Sequence, residues 1–317
     1  MNILLIDQVA KSEYAKKYLY YNGLLAGLEL TSGHDIYFTN KTVINVDELE
    51  EATGLKFDYV IYGLGWFGSS NYFGEVKCTN AKKIVHLFKP QNDLDRKLSF
   101  CKRNNVDFII TPLPEYKDIE AQTGIKTLLF PYGYYPHLFK QRHDIPKIYD
   151  IGFSGALHQN KLYPEGEFPS QNLRLEIKKQ LDEIEDVEVF WKSSDKFETA
   201  RIHDNEEYAK TINRSKIWIA TNASHGDVTP RYYEILGSGT LLFCEEIHES
   251  YKSVLKDGYN CVSFKTDLSD FKEKLRFYIN NDTERNRIVN NALADSVQKF
   301  TWFARASKLL EDIGENK

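Results

Sequence analysis

Short apolar runs rich in β-branched residues recur along this 317-residue chain, and stretches with helical spacing separate them. That alternation restricts the fold to the α/β class, with parallel sheets covered by helices on both faces. In the first half, strands are expected at Asn2–Ile6, Asp35–Phe38, Asp58–Tyr62, Lys83–Phe88, Val106–Thr111 and Lys126–Phe130, with helices over Ser12–Leu28 and Asp93–Arg103 and a short one ahead of Lys126. A second series runs through Tyr149–Phe153, Val187–Trp191, Ile217–Ala220, Leu241–Phe243 and Cys261–Phe264, with helices over Leu173–Glu185, Asn205–Asn213 and Ser250–Leu255; residues 270–313 read as helical. Between the two series, PYGYYPHLF is poor helix or sheet interior, so Pro131–Pro146 reads as an interdomain connection. The expected domains are residues 1–140, residues 141–300 and a C-terminal helix at 301–317 packing back toward the first. Two similar sheets on one connection invite a ligand between them.

The stretch IWIATNASHGDVTPRYYEILGSGTLLF, residues 217–243, carries the most chemistry. Thr229 suits an N-cap and Pro230 the first helical position, while Gly237 and Gly239 close the helix. Arg231 and Glu234 lie three apart and project from one face, near a helix start whose unpaired N–H groups favour an anion. A guanidinium there is a phosphate clamp, and a carboxylate one turn on accepts hydrogen bonds from vicinal hydroxyls such as those of a ribose. Together they read as a nucleotide site at the carboxyl edge of a parallel sheet. The competing reading is a surface i, i+3 ion pair worth about 0.2–0.5 kcal/mol. The turn at Gly63, Gly65 and Gly68 lacks dinucleotide-fingerprint or P-loop spacing, and reads as a loop bringing Trp66 and Phe67 to a cleft.

Composition narrows the partners. With 41 basic and 46 acidic residues, the net charge of −5 gives no reason to expect nucleic acid or a bulk anionic membrane, although local basic patches leave peripheral membrane contact open. Four cysteines without a CxxC pair or zinc-like spacing point to a reduced intracellular setting. The N-terminal apolar run is too short for a signal peptide, and no stretch reaches about 18 uninterrupted apolar residues. A soluble, cytoplasmic protein is expected, with no metal motif; oligomeric state is left open.

These motifs resemble GT-B glycosyltransferases, most closely the spore-maturation-protein-like (CgeB-type) group. The resemblance is carried by IGFSGA at the start of the second series, by TPRYYEILGSGTLLF from Thr229 to Phe243, by DGYNCVSFKTDLSDFKEKLRFYINND from Asp257 to Asp282, and by TWFARASKLL from Thr301 to Leu310. It covers mainly Tyr149 to the end; in the first half only LLFPYGYYPHLF is similar to the group's connection. The resemblance implies two Rossmann-like domains facing across a cleft. It further implies metal-independent, hexosyltransferase-like transfer of a sugar from a nucleotide-sugar donor to a glycan or other hydroxyl acceptor, releasing a nucleoside diphosphate and using no separate cofactor.

By the same resemblance Glu234 binds the donor ribose and Arg231 the diphosphate, with Thr229 at the helix start. Gly155 admits the backbone to the leaving phosphate, and Lys161 and Arg174 are further basic candidates. His86 at a strand end is the candidate catalytic residue, with Asp7 and Asp93 as rival bases. Many retaining members carry a second glutamate ahead of the ribose-binding one; here Gly226 stands at that position with Asp227 beside it, a donor-site candidate that could substitute for the missing carboxylate or equally serve as a turn or capping residue, which leaves the stereochemistry open. Two alternatives remain, a non-catalytic nucleotide- or glycan-binding protein and a sugar-nucleotide epimerase.

Overall fold

The computed structural model describes residues 1–43, 45–64, 74–88, 93–157, 169–194, 199–223 and 226–314. The chain forms two compact units: Met1–Tyr132 together with the chain from Trp302 onward, and Gly133–Thr301.

In the first unit the strands are β1 (Asn2–Ile6), β2 (Asp35–Thr39), β3 (Tyr59–Gly63), β4 (Lys82–His86), β5 (Phe108–Thr111) and β6 (Lys126–Leu129). They form one parallel sheet in the order β2-β1-β3-β4-β5-β6. Buried on both faces, β3 and β5 read as continuous apolar runs rather than alternating ones. One core joins Leu4, Ile6, Val60, Val85 and Ile109 to Leu98 and Cys101 of α4 (Leu94–Arg103) and Ile119 of α5 (Tyr116–Thr123).

The helix expected over Ser12–Leu28 is broken into α1 (Glu13–Lys17), a 3-10 turn at Leu19–Asn22 and α2 (Gly23–Glu29). The Asn22 side chain donates to the Ala15 carbonyl at 3.2 Å, an acceptor that an unbroken helix would give to residue 19, and it accepts from Lys11 N at 2.6 Å. A further helix, α3 (Val46–Thr53), stands where none was expected; Asn45 caps it by accepting from Glu48 N at 3.1 Å. On the far side of the sequence, α11 (Trp302–Gly314) packs on α2 within this unit. Close approach requires glycine there: a Cβ at Gly23 would lie 2.0 Å from the Trp302 ring, and one at Gly27 2.3 Å from the Trp302 carbonyl oxygen.

The second unit carries β7 (Tyr149–Ala156), β8 (Val189–Ser194), β9 (Ser215–Ala220), β10 (Leu241–Glu245) and β11 (Val262–Phe264), parallel throughout in the order β11-β10-β9-β7-β8. Its helices are α6 (Pro169–Asp182), α7 (Asn205–Asn213), α8 (Pro230–Gly237), α9 (Phe271–Asn280) and α10 (Asp282–Lys299). Phe153, Ile219, Phe243 and Phe264 meet Ile177, Phe271 and Ile288 in one core. Where a helix was expected over Ser250–Leu255 there is a single 3-10 turn, Glu249–Tyr251, whose start is closed by His248 Nδ1 accepting from Ser250 N. The irregular segment after Gly133 is fastened within this unit: Tyr134 N donates to Phe300 O, and the Asn213 side chain bonds both Arg142 N and Lys140 O.

The structure therefore bears out the α/β class with two parallel, Rossmann-like sheets. In each, strand order reverses once, between β1 and β3 and between β7 and β9. A crevice outside the carboxyl ends of the strands opens at such a reversal, where neighbouring connections leave on opposite faces.

Candidate active site

In the second unit the reversal is spanned by one side chain. Arg174 of α6 donates through Nη1 to the Ala156 carbonyl at the end of β7, at 2.6 Å, and through Nε to Thr221 Oγ1 just past β9, at 2.8 Å. Gly155, one residue before, is buried, and a Cβ there would lie 3.0 Å from Phe153 Cζ and 3.5 Å from Arg231 Nη1. Arg231 thus lies against the end of β7, although it is carried by α8.

Between β9 and helix α8, Ala223 N donates to Asp227 O and Gly226 N to Ala223 O. Gly226 has φ +76, a left-handed conformation that glycine adopts without a Cβ clash. Thr229 stands at the N-cap with extended backbone, and Pro230 fills the first turn, but the Thr229 hydroxyl does not cap the helix. Thr229 Oγ1 and Arg231 Nε are both buried with no hydrogen-bond partner among the described residues. Buried polar atoms are nearly always paired, so two orphans beside an uncapped helix start mark a place for a polar ligand.

Among the described residues no ion pair joins Arg231 to Glu234, which sets aside the surface-pair reading. Glu234 is only partly exposed, and burial pushes its carboxyl up to about 7 against the opposing pull of Arg231, Arg201 and the Tyr208 hydroxyl, which hydrogen-bonds it. Burial likewise raises the Tyr208 phenol, with the Glu234 charge adding to the effect. Arg174 is lowered to about 10 by burial and by the neighbouring Arg231, and so stays cationic at neutral pH. Three guanidinium groups, those of Arg174, Arg201 and Arg231, act on one another or on Glu234 here.

A second carboxylate, Glu245 at the end of β10, accepts from Asn222 N at 2.9 Å and is raised by burial, with Asn222 and Arg174 opposing. Asn222 in turn accepts from the Tyr232 hydroxyl at 2.8 Å, fixing the strand-to-helix loop against α8. Tyr208, Arg201, Asn222, Tyr232 and Glu245 were all missed from the sequence. Glu245 and Asn222 had a readable signal, Glu245 ending β10 after four apolar residues and Asn222 standing two residues past β9; Tyr208, inside a helix, had none.

At the carboxyl edge of the first sheet, Asp7 follows β1 and is buried. Its Oδ1 accepts from Val9 N at 2.8 Å and Ala10 N at 3.2 Å, and burial raises the carboxyl to about 6 against those two bonds. Gly63 at the end of β3 makes room for it, since a Cβ there would lie 2.5 Å from Asp7 Oδ2. His86 ends β4, two strands away from Asp7, or roughly 10 Å at ordinary strand spacing. Its ring lies 5.0 Å from that of Phe88 and 5.5 Å from that of Phe130, and burial alone lowers it to about 3. His86 Nδ1 is buried without a partner among the described residues. Asp93 precedes α4, exposed, in a left-handed conformation with φ 57 and no side-chain cap.

The structure thus brings Gly155, Arg174, Thr229, Arg231 and Glu234 to one sheet edge, with the Asp227 backbone closing the loop beside them, and places Asp7 and His86 at another. Lys161, Gly65, Trp66, Phe67 and Gly68 lie outside the described residues. Among the described residues no group of three or more His, Cys, Asp or Glu is placed to hold a metal ion, and no helix is long and apolar enough to cross a membrane.

The observed architecture is two parallel α/β sheets, each with one reversal of strand order. Residues 176–311, from α6 into α11, match the family model described as "Glycosyl transferase-like". No curated protein matches the sequence. Among solved structures, the fold is similar to that of sucrose-phosphate synthase (tll1590) from Thermosynechococcus elongatus, with a TM-score of 0.58 at 12% identity over 100% of both chains. It is similar to Alr3699/HepE from Anabaena in complex with UDP, with a TM-score of 0.57 at 11% identity over 99% of this chain and 100% of that one; HepE is also known with UDP-glucose. A glycosyltransferase from Rickettsia africae ESF-5 gives 0.57 at 10% identity over 99% and 98%. At these identities the likeness is one of fold. The CgeB-type group is not singled out by any of them.

Proposed function

We propose that this protein is a glycosyltransferase that moves a sugar from a nucleotide-sugar donor to a hydroxyl acceptor. The observation that carries the reading is the pairing on α8 of Arg231, its Nε buried and unpartnered beside Gly155, with Glu234 one turn further on. In this reading the donor diphosphate lies over Gly155 between Arg231 and Arg174, at the uncapped start of α8. The Glu234 carboxylate accepts from the ribose hydroxyls. As the bond from the anomeric carbon to the phosphate oxygen breaks, negative charge accumulates on the departing diphosphate, and fixed guanidinium groups stabilise that charge more than the ground state. The acceptor oxygen forms the new bond to the anomeric carbon, and its proton passes to a base, for which Asp7 is the better candidate because its carboxyl lies near 6. His86, held neutral, is suited to hydrogen-bonding a sugar hydroxyl. Because protein cations carry the phosphate charge in this account, a chelator leaves the rate unchanged.

HepE, similar in fold, binds UDP and UDP-glucose, which makes uridine nucleotides the first donors to try. The test is release of nucleoside diphosphate from a donor panel in the presence of hydroxyl acceptors. Wild type turns over one donor and Glu234→Ala, still folded, does not; equal turnover by both proteins overturns the reading.

A further inference from the structure

Along α8 the residues that carry the proposed chemistry sit between residues that carry the packing. Arg231 and Glu234 are partly exposed, whereas Tyr232, Tyr233, Ile235 and Leu236 are buried. Successive residues of a helix point about 100° apart, so the rotation of α8 about its own axis decides where the Arg231 guanidinium lies. At the C-terminal end of the helix that rotation is set by packing: a Cβ at Gly237 would lie 2.4 Å from the Tyr134 ring and 2.9 Å from the Phe139 carbonyl oxygen.

The N-terminal end is held by a polar chain instead. The Thr229 side chain does not cap the helix. In the first turn, the Tyr232 hydroxyl donates to Asn222 Oδ1 at 2.8 Å. Asn222 is anchored in turn, because its backbone N donates to Glu245 Oε2 at 2.9 Å and the preceding Thr221 hydroxyl accepts from Arg174 Nε at 2.8 Å. The start of α8 is thereby tied to the carboxyl ends of both β9 and β10.

Packing alone does not call for this hydroxyl. Tyr232 is fully buried, and phenylalanine would fill the same space with no polar atom to satisfy. The hydroxyl is spent on Asn222, a partly exposed loop residue, rather than on a group in the core. Tyr232 also follows Arg231 directly, and Arg231 Nη1 lies 3.5 Å from where a Gly155 Cβ would stand. We infer that Tyr232 is a positioning residue for Arg231: its bond to Asn222 fixes the rotation of the first turn of α8 and so lays the guanidinium against the end of β7. That Arg231 holds a nucleoside diphosphate rests on the transferase reading; that Tyr232 sets where Arg231 lies does not.

The test uses Tyr232→Phe, which keeps the ring in the core and removes the hydroxyl. UDP affinity is measured by calorimetry with and without Arg231→Ala, and amide exchange of the nucleotide-free protein by mass spectrometry. With Arg231 present, Tyr232→Phe is expected to weaken UDP binding about fivefold, the weight of one hydrogen bond. In the Arg231→Ala background the same change is expected to cost less than about twofold, because a residue acting through Arg231 has nothing left to position. Amide exchange across residues 226–237 should quicken while that of β10 stays as it was. Equal UDP affinity in wild type and Tyr232→Phe overturns the inference, and so does a loss that is just as large in the Arg231→Ala background, which a merely structural hydroxyl would give. Should wild type bind no UDP, the nucleotide account fails and exchange decides: quickened exchange over 226–237 in Tyr232→Phe keeps the tether, and unchanged exchange overturns it. Should Tyr232→Phe fail to fold, Asn222→Ala breaks the same bond from the loop side and is read by the same outcomes.

Discussion

The Arg174 guanidinium donates through Nε to the Thr221 hydroxyl at 2.8 Å, and its Nη1 reaches the Ala156 carbonyl, so one α6 side chain closes the gap between β7 and β9. Arg174→Ala removes both bonds and leaves a buried carbonyl and hydroxyl to find other partners. A loss of about 1.5–3 kcal/mol in unfolding free energy is expected, read from the urea midpoint at constant m-value. Thr221→Val removes one bond and costs less. Equal midpoints for wild type and Arg174→Ala would show that the bridge holds nothing.

Glu234 gives the site a pH dependence whose sign can be worked out. With its carboxyl raised from 4.5 to about 7, the folded protein keeps a proton in that window that the unfolded chain has lost. Stability therefore falls as pH rises through the window and levels off above it. Donor affinity runs the opposite way, because the ionised carboxylate is the better acceptor for ribose hydroxyls: it strengthens from pH 6 to pH 8. Glu234→Gln flattens both curves, which titration calorimetry and thermal melts at matched pH would register.

Asp7 and His86 separate by their pH limbs. At saturating donor and acceptor, kcat carried by Asp7 rises through about 6, whereas His86, held near 3, is neutral across the working range and produces no limb there. Asp7→Asn keeps an oxygen to accept from Val9 N and Ala10 N, so it should remain folded while losing about 10²–10⁴ in kcat. A limb near 6 that survives Asp7→Asn would move the base elsewhere. Because His86 is lowered from 6.5, its burial also makes stability rise with pH between about 3 and 6.5.

Two glycines in β7 make contrasting predictions. A Cβ at Gly152 would meet the Trp218 ring at 2.3 Å and Ser215 Oγ at 2.6 Å, in the strand-to-strand core. Gly152→Ala is expected to cost about 1–3 kcal/mol by overpacking. At Gly155 the nearest atoms are at 3.0, 3.4 and 3.5 Å, so Gly155→Ala needs a shift of only a few tenths of an ångström in the Phe153 ring, costs less than Gly152→Ala, and has its main effect on diphosphate affinity. Melting temperatures and UDP binding of the two variants check this; the reverse pattern would contradict the placement of the diphosphate.

How far the sequence alone reached depended on the kind of signal. Buried parallel strands are apolar runs bounded by turns, so β1, β7 and β9 were legible, as was α8 with its proline at the first turn. The carboxyl-edge positions of Arg231, Glu234, Asp7 and His86 followed from those strand ends. Helix α3 was missed although VDELEEAT sets Val46 and Leu49 three apart against the core; it is short, and its start rests on the Asn45 cap. The break between α1 and α2 depends on one Asn22 side chain, which helical spacing does not reveal. Tyr208 and Arg201 come to Glu234 through tertiary packing, and no local pattern announces them.

Calorimetric titration of UDP into wild type and Arg231→Ala tests most directly whether α8 and the end of β7 hold a nucleoside diphosphate. Wild type is expected to bind, and Arg231→Ala to bind about tenfold or more weakly, as loss of a charge-assisted contact to phosphate requires. Uridine, lacking the diphosphate, should lose little between the two proteins. Equal UDP affinity in both would contradict the account.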